Sequence, residues 1–185
     1  MSVKKALDSF GSSVVSGSKK ELARKKKNAS NNLSKSVDYA VKVSKNSFQL
    51  DFFMEDYGKF IDKGVKGVGG KRKKPNADGE LAYKRKKVTN NDYSYRQPSR
   101  TNSKGRFKQA LGGWTIKKGI APRSKGGQFT SRKGLIFAIR KSIFHTGLET
   151  TNFFTNPFEK AFKKLPDELV EAYGLEVDKL LLQAI

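Results

Sequence analysis

The first apolar positions of the chain recur every three to four residues. This spacing places them on one side of a helix and predicts a helix over residues 4–26. The apolar stripe consists of Leu7, Phe10, Val14 and Leu22. Serines narrow the stripe, and Gly11 and Gly17 each weaken the helix by about 1 kcal/mol relative to alanine. We therefore expect an exposed helix with one apolar face or, alternatively, a close-packing surface against a partner.

Between residues 38 and 54 the apolar side chains change to strict alternation. The alternating positions are Tyr39, Val41 and Val43, followed by Phe48, Leu50 and Phe52. Alternation with a period of two is typical of a half-buried strand. Lys45 and Asn46 separate the two runs and suit a tight turn. This region is therefore predicted to form an antiparallel hairpin with one apolar face.

Helical spacing returns on both sides of a long central segment. Helices are predicted over residues 33–37, 55–63, 106–119, from Thr130 or Ser131 to about Thr146, and from Asn156 and Pro157 onward. Pro166 either kinks this last helix or begins another one. Gly147 suits the end of the helix before it, and the glycines between residues 64 and 70 end regular structure. Gly112 and Gly113 interrupt the helix at 106–119, for which close packing is the one explanation we find.

Residues 65–106 show little periodicity. A loop of about this length is usually functional or becomes ordered on binding. A short β excursion around residues 81–88 is left open. For a chain of 185 residues, we expect one domain over residues 1–185, with an extended basic insertion at about 66–106.

Positive charge dominates the chain and is concentrated in its middle. The sequence has 39 Lys and Arg against 17 Asp and Glu, a net charge of +22. Residues 66–106 carry a net +10, and residues 107–147 carry +9 with no acidic residue, whereas residues 148–185 carry −3. Such a field attracts polyanions. The acidic end could also meet the basic surface of another copy in a head-to-tail contact.

Several classes of chemistry lack the residues they need. The absence of cysteine excludes disulfides and thiolate zinc sites, and the single histidine, His145, makes histidine catalysis improbable and suits a structural or surface role. No serine lies in a nucleophile-elbow pattern, and residues 68–71 lack the full phosphate-loop pattern. The densest acidic group, Asp51, Glu55, Asp56 and Asp62, does not match a calcium loop. We therefore expect that the protein is not an enzyme, that it has no catalytic residue, and that it binds no metal and no cofactor.

No apolar run approaches the roughly 20 residues of a membrane span, and the first residues lack the apolar core of a secretory signal. We therefore expect a protein of the reducing cytoplasm without a membrane partner.

Contact with nucleic acid is the chemistry that the sequence best supports. The candidate DNA- or partner-facing residues are Lys71, Arg72, Lys73, Lys74, Lys84, Arg85, Lys86, Lys87, Arg123 and Lys125. Lysines and arginines can neutralise phosphates without reading sequence, and interleaved tyrosines can offer stacking faces. The candidate inter-subunit residues are Tyr83, Tyr93, Tyr95, Phe153 and Phe154. Residues 150–154 are expected to form an exposed or partner-facing apolar patch. An equally open alternative is that the basic residues are merely solvated, because no known binding-module signature is present.

An ordered set of motifs resembles the tail-completion proteins of tailed phages, also called head–tail joining or neck proteins. The motifs lie at residues 47–67, 114–119, 126–130, 135–143, 145–147, 151–154 and 157–158. Together they cover most of the chain in the family's order, whereas residues 71–106 match it poorly.

The resemblance implies an α+β subunit in which a small curved antiparallel sheet with a hairpin is backed by helices, plus a long basic loop or extension. It implies a virion structural protein that forms a six- or twelve-fold homo-oligomeric ring at the neck or tail. Its partners would be the portal or adaptor protein and tail proteins, with possible nonspecific DNA contact in the channel through which DNA is ejected. Assembly would occur in the host cytoplasm. The alternatives are a free, sequence-nonspecific nucleic-acid-binding protein and, less well supported, a metal-dependent nuclease using the acidic group.

Overall fold

The computed structural model describes residues 2–27, 31–44, 47–71, 79–89, 92–95, 106–124 and 126–183; for residues 106–110 and 176–183 it describes the backbone only. The helices are α1 (Val3–Arg24), α2 (Asn32–Ser36), α3 (Gly58–Lys63), α4 (Arg106–Lys117), α5 (Arg132–Thr146), α6 (Thr155–Phe162) and α7 (Leu165–Gln183). The strands are β1 (Asp38–Ser44), β2 (Ser47–Phe53), β3 (Val65–Lys66) and β4 (Gly147–Leu148). The predicted α+β class is confirmed.

The chain forms two compact units. Unit 1 comprises Met1–Gly58 and Asn152–Ile185, and unit 2 comprises Lys59–Thr151. The basic segment predicted at 66–106 therefore lies inside unit 2, and unit 1 is built from the two ends of the sequence. Each unit has its own sheet, because β1 pairs with β2 and β3 pairs with β4.

Helix α1 is the centre of unit 1. Its buried residues are Val3, Ala6, Leu7, Phe10, Gly11, Val14, Val15, Ser18 and Leu22. The Phe10 ring meets Phe52 of β2 and Phe158 of α6 edge-on, with ring centroids 6.0 and 5.5 Å apart. Leu165 and Ala172 of α7 complete the same apolar cluster. The predicted helix with one apolar face is confirmed: the hairpin, α6 and α7 of the same chain cover that face, while the opposite side of α1 is exposed.

The small residues of α1 allow close approach by neighbours. A side chain at Gly11 would overlap the ring of Tyr39, and one at Gly17 would lie 2.9 Å from Cβ of Pro157. The hydroxyl of Ser18 donates to the carbonyl oxygen of Val14 at 2.7 Å, so this buried polar group is satisfied. Gly11 and Gly17 therefore allow close packing against segments of the same chain, and packing of α1 against a partner stays a prediction.

The hairpin follows the predicted alternation. Tyr39 lies opposite Phe52 and Val41 lies opposite Leu50, so these side chains share one face. Phe52 and Val41 pack against the cluster around α1. On the other face, Nζ of Lys42 lies 3.0 Å from a carboxylate oxygen of Asp51. The predicted turn at Lys45 and Asn46 lies outside the described residues.

Unit 2 holds α3, α4, α5 and the short β3–β4 pair. Gly147 ends α5 with a φ of 87°, as predicted, and the chain then enters β4 directly. Val65 of β3 pairs with Leu148, a pairing that was not predicted because two residues are too few to show alternation. A Cβ added at Gly112 would lie 3.6 Å from the side chain of Ile136, an ordinary contact distance, and nothing described lies near a Cβ added at Gly113. Close packing therefore explains neither glycine.

Candidate nucleic-acid interface

The two units differ sharply in charge. Within the bounds of unit 2 the sequence has 24 Lys and Arg against 5 Asp and Glu, a net charge of +19. Within the bounds of unit 1 it has 15 against 12, a net charge of +3. A site that attracts a polyanion is therefore to be sought in unit 2.

Three segments of unit 2 meet through backbone hydrogen bonds. They are residues 64–71, which contain β3, residues 82–89 with 92–95, and residues 144–151, which contain β4. The N–H of Val68 donates to Phe144, and the N–H of Tyr83 donates to Gly70, both at 3.0 Å. These bonds fix the backbone of the second segment, although its described residues form none of the four strands.

The second basic tetrad lies on this framework. The N–H of Lys86 donates to the carbonyl oxygen of Thr146 at 2.8 Å, and the carbonyl oxygen of Lys87 accepts from Thr150. The guanidinium of Arg85 donates to the carbonyl oxygen of Val68 at 2.8 Å. All four side chains, Lys84, Arg85, Lys86 and Lys87, are exposed. The tetrad is thus a row of cations on a backbone fixed by hydrogen bonds.

Tyr83 introduces this row and stacks on His145. The two rings are nearly parallel, with centroids 4.2 Å apart and an interplanar angle of 8°. Nδ1 of His145 lies 2.5 Å from the carbonyl oxygen of Gly69. A carbonyl oxygen can only accept, so Nδ1 carries the proton. His145 therefore serves as a structural support beneath the start of the basic tetrad, in line with the structural role that the sequence favours.

Thr150 and Thr151 connect the end of α3 to the same framework. The Thr150 hydroxyl donates to the carbonyl oxygen of Lys63 at 2.8 Å and accepts from the N–H of Thr89 at 3.0 Å. The Thr151 hydroxyl donates to the carbonyl oxygen of Ile61 at 2.6 Å. Sequence reasoning missed both residues, because it grouped them with the phenylalanines that follow as an apolar patch.

The first basic tetrad is described only at its start. Lys71 is exposed and pairs with Ala82 in an isolated antiparallel bridge, which brings it to the segment of the second tetrad. Arg72, Lys73 and Lys74 lie outside the described residues, as does Lys125.

Arg123 lies in a separate turn of unit 2. Residue 123 pairs with Phe129 across this turn, and the guanidinium carbon of Arg123 lies 4.4 Å from the centre of the Phe129 ring. The Phe129 ring is exposed. A cation over an exposed ring is a group that phosphates or bases can contact.

Tyr93 and Tyr95 pack within their own unit. The Tyr93 ring meets Phe60 edge-on at 4.8 Å, and Tyr95 lies 6.0 Å from the ring of Phe144. Burial raises the pKa of the Tyr95 hydroxyl. The predicted contacts of these tyrosines with another subunit remain predictions.

The sequence predicts an exposed or partner-facing apolar patch at residues 150–154, and this prediction is wrong for Phe153. Its side chain is fully buried, so it has no surface with which to contact another subunit. Phe154 is half-buried and lies 5.4 Å from the ring of Phe52 and 5.9 Å from that of Phe158. Two adjacent phenylalanines before a helix give the same sequence signal whether they are covered by the chain or by a partner.

The acidic group singled out in the sequence is not gathered into a metal site. Among the described residues, no three or more His, Asp or Glu side chains lie close enough to hold a metal ion. Hydrogen bonds from Gln49 and from Lys42 lower the pKa of Asp51, and this carboxylate is therefore used within the hairpin.

No family model, no curated protein and no solved structure matches this chain. The likeness to tail-completion proteins therefore rests on the ordered motifs alone. In the part of the chain that the structure describes, no helix combines the length and apolar character needed to cross a bilayer.

Proposed function

We propose that this chain is a non-enzymatic structural protein of a tailed phage. Copies of it form a ring at the neck or tail that joins the portal side of the head to the tail and surrounds the path of DNA exit. The observation that carries this proposal is the contrast between a unit with a net charge of +19 and a nearly neutral unit of +3 in one chain. The ordered motifs of the family resemblance supply the location.

The charge contrast suits a channel for DNA. DNA that passes through a ring needs phosphate attraction without tight sequence reading, and exposed lysines and arginines provide this. The fixed row at Lys84, Arg85, Lys86 and Lys87 can follow a phosphate backbone, and the turn at Arg123 adds a further cation. Unit 1 can then carry contacts to protein neighbours.

The small sheets favour assembly. Among the described residues, β1 and β2 pair only with each other, so each strand has one edge without a partner strand. A neighbouring subunit can pair with such an edge. Either six or twelve copies are compatible with the resemblance.

Labelled virions test the location. We would attach a small tag at the end of α7 and locate it on purified particles by gold labelling, with a tagged capsid protein as the matched control. The expected result is one cluster of label at the head–tail junction or along the tail. Label that is absent from those positions, while the capsid control is seen, would reject the proposal.

A second candidate function is a free, sequence-nonspecific nucleic-acid-binding protein, which the fixed row of cations favours. The test is the salt dependence of DNA binding after Lys84, Arg85, Lys86 and Lys87 are changed to Gln. Because each phosphate contact contributes about 0.9 to the slope of log K against log salt, the slope should fall by up to about 3 to 4. The matched control changes four exposed lysines of unit 1, namely Lys4, Lys5, Lys20 and Lys35. Equal losses in both variants would show that the row is not a binding site.

A further inference from the structure

Helix α5 carries an exposed aromatic ring between two cations. The side chain of Phe137 is 67% exposed, while Ile136, next to it in the sequence, is buried. Lys133 and Lys141 lie four residues before and after Phe137 and are also exposed. Residues four apart lie on the same side of a helix. We call Lys133, Phe137 and Lys141 the α5 outer face.

Helix α7 carries the opposite arrangement. Val170 and Tyr173 are 75% and 65% exposed, and they lie three residues apart on one side of the helix. The carboxylates of Asp167 and Glu171 lie four residues apart on the adjoining side. Leu165 and Ala172 are buried and turn the remaining side of α7 into unit 1. We call Asp167, Val170, Glu171 and Tyr173 the α7 outer face.

The two outer faces have complementary charge. Helix α5 has four Lys and Arg and no acidic residue, whereas α7 has five acidic residues and one lysine. Among the described residues, neither Lys133 and Lys141 nor Asp167 and Glu171 form an ion pair. Two α5 faces repel each other, as do two α7 faces, and only the unlike combination brings opposite charges together.

We propose that the α5 outer face of one copy binds the α7 outer face of a second copy. Phe137 then packs against Val170 and Tyr173, while Lys133 and Lys141 meet Asp167 and Glu171. The contact joins two different surfaces, so it is head-to-tail and repeats from copy to copy, and it forms a ring when the rotation between neighbours closes. This inference rests on the proposed ring, because the contact would join neighbouring copies in it. Association through the contact can nevertheless be measured on the purified chain.

Two complementary variants test the contact. Variant A changes Lys133, Phe137 and Lys141 to Gln, and variant B changes Asp167 to Asn and both Val170 and Glu171 to Gln. The wild-type chain should associate with rising concentration in sedimentation velocity at low salt. Each variant alone should associate about tenfold or more weakly.

The mixture gives the decisive result. Variant A keeps an intact α7 face and variant B keeps an intact α5 face, so an equimolar mixture should form one-to-one dimers and stop there. The matched control, Ile116→Gln with Lys117→Gln and Lys118→Gln, removes an exposed apolar side chain and two cations at the end of α4 and directly after it, and it should associate like the wild type. A wild type that stays monomeric, a variant that still self-associates fully, or a mixture that stays monomeric would each overturn the proposal.

Cysteine cross-linking gives a second test that does not depend on the triple variants. The chain has no cysteine, so a disulfide can form only at introduced positions. Mixed Phe137→Cys and Val170→Cys chains should form the mixed dimer faster than either homodimer. A double variant should form cross-linked oligomers as concentration rises. A disulfide that closes within one chain would show that the two faces meet in the same copy and would overturn the proposal. Virion labelling is independent of both results, so failure of this contact and failure of the proposed function are distinguishable.

Discussion

The two units of this chain are stabilised by different means. Among residues whose side chains are described, unit 1 has twelve buried apolar residues, whereas unit 2 has three: Val65, Leu111 and Ile136. Unit 2 relies on backbone hydrogen bonds and threonine hydroxyls, and it carries nearly all of the net charge. A charge of that size opposes compaction by self-repulsion. Apolar packing is therefore the main stabilising contribution in unit 1. In unit 2 the main contribution is hydrogen bonding, which must offset the repulsion between like charges.

The largest expected effect comes from the core of unit 1. Changing Phe10 to Ala removes a ring that meets Phe52, Phe158 and Phe162, and it should lower the free energy of unfolding by about 3–5 kcal/mol. Urea denaturation followed by circular dichroism measures it. The control, Phe129→Ala at an exposed ring of unit 2, should change it by less than about 0.5 kcal/mol. Equal effects at both positions would remove the contrast between the units.

A second change tests close packing in unit 1. Gly11→Ala forces a methyl group into the ring of Tyr39, and the resulting overpacking should cost about 1–3 kcal/mol. The same denaturation measurement applies. A variant as stable as the wild type would show that Tyr39 moves aside freely and that the α1–hairpin contact is loose.

A third change tests hydrogen bonding in unit 2. Thr150→Val keeps the side-chain shape but removes the hydroxyl that contacts Lys63 and Thr89, at a cost of about 1–3 kcal/mol. Hydrogen exchange should show faster exchange at the Thr89 amide. Thr130→Val, at an exposed position in the same unit, is the matched control. Unchanged protection at Thr89 would contradict the role given to Thr150.

A fourth change should stabilise unit 2. Gly113 lies within α4, and no described atom lies near the position of an added Cβ. Gly113→Ala should therefore raise stability by up to about 1 kcal/mol through helix propensity. Thermal unfolding measures this gain. A loss of stability would contradict the open space around this position and would indicate that the chain itself requires glycine there.

The smallest expected effect is a pH dependence in the hairpin. The pKa of Asp51 is lowered by hydrogen bonds from Gln49 and Lys42, so its contribution is present above the unfolded pKa of about 4. The contribution is lost as the pH falls through the lower folded pKa. The stability difference between wild type and Asp51→Asn should shrink below about pH 4. A difference that stays constant over this range would contradict the assignment.

The sequence predicted unit 1 better than unit 2 for a physical reason. Apolar periodicity reveals packing, and it located α1, the hairpin and the helices near residues 156 and 166. It did not reveal which neighbour covers an apolar face, so a partner was left open for α1 and Phe153 was expected in an exposed or partner-facing patch.

The framework of the candidate site was less predictable. The tetrad at residues 84–87 was evident from charge, but its fixed backbone depends on carbonyl groups at Val68 and Thr146, which carry no residue-specific signal. The hydroxyls of Thr150 and Thr151 act through contacts about 60 to 90 residues away in sequence. Such contacts become visible only when the fold is known.

The construction of unit 1 from both ends of the chain has a consequence for synthesis. Phe10 emerges from the ribosome long before Phe158 and Phe162, which cover it in the finished fold. At about 5–20 residues per second, the delay is on the order of ten seconds. Throughout that interval the nascent polypeptide exposes the apolar face of α1, followed by a growing cationic stretch. The apolar face can bind chaperones, and the cationic stretch can bind ribosomal RNA.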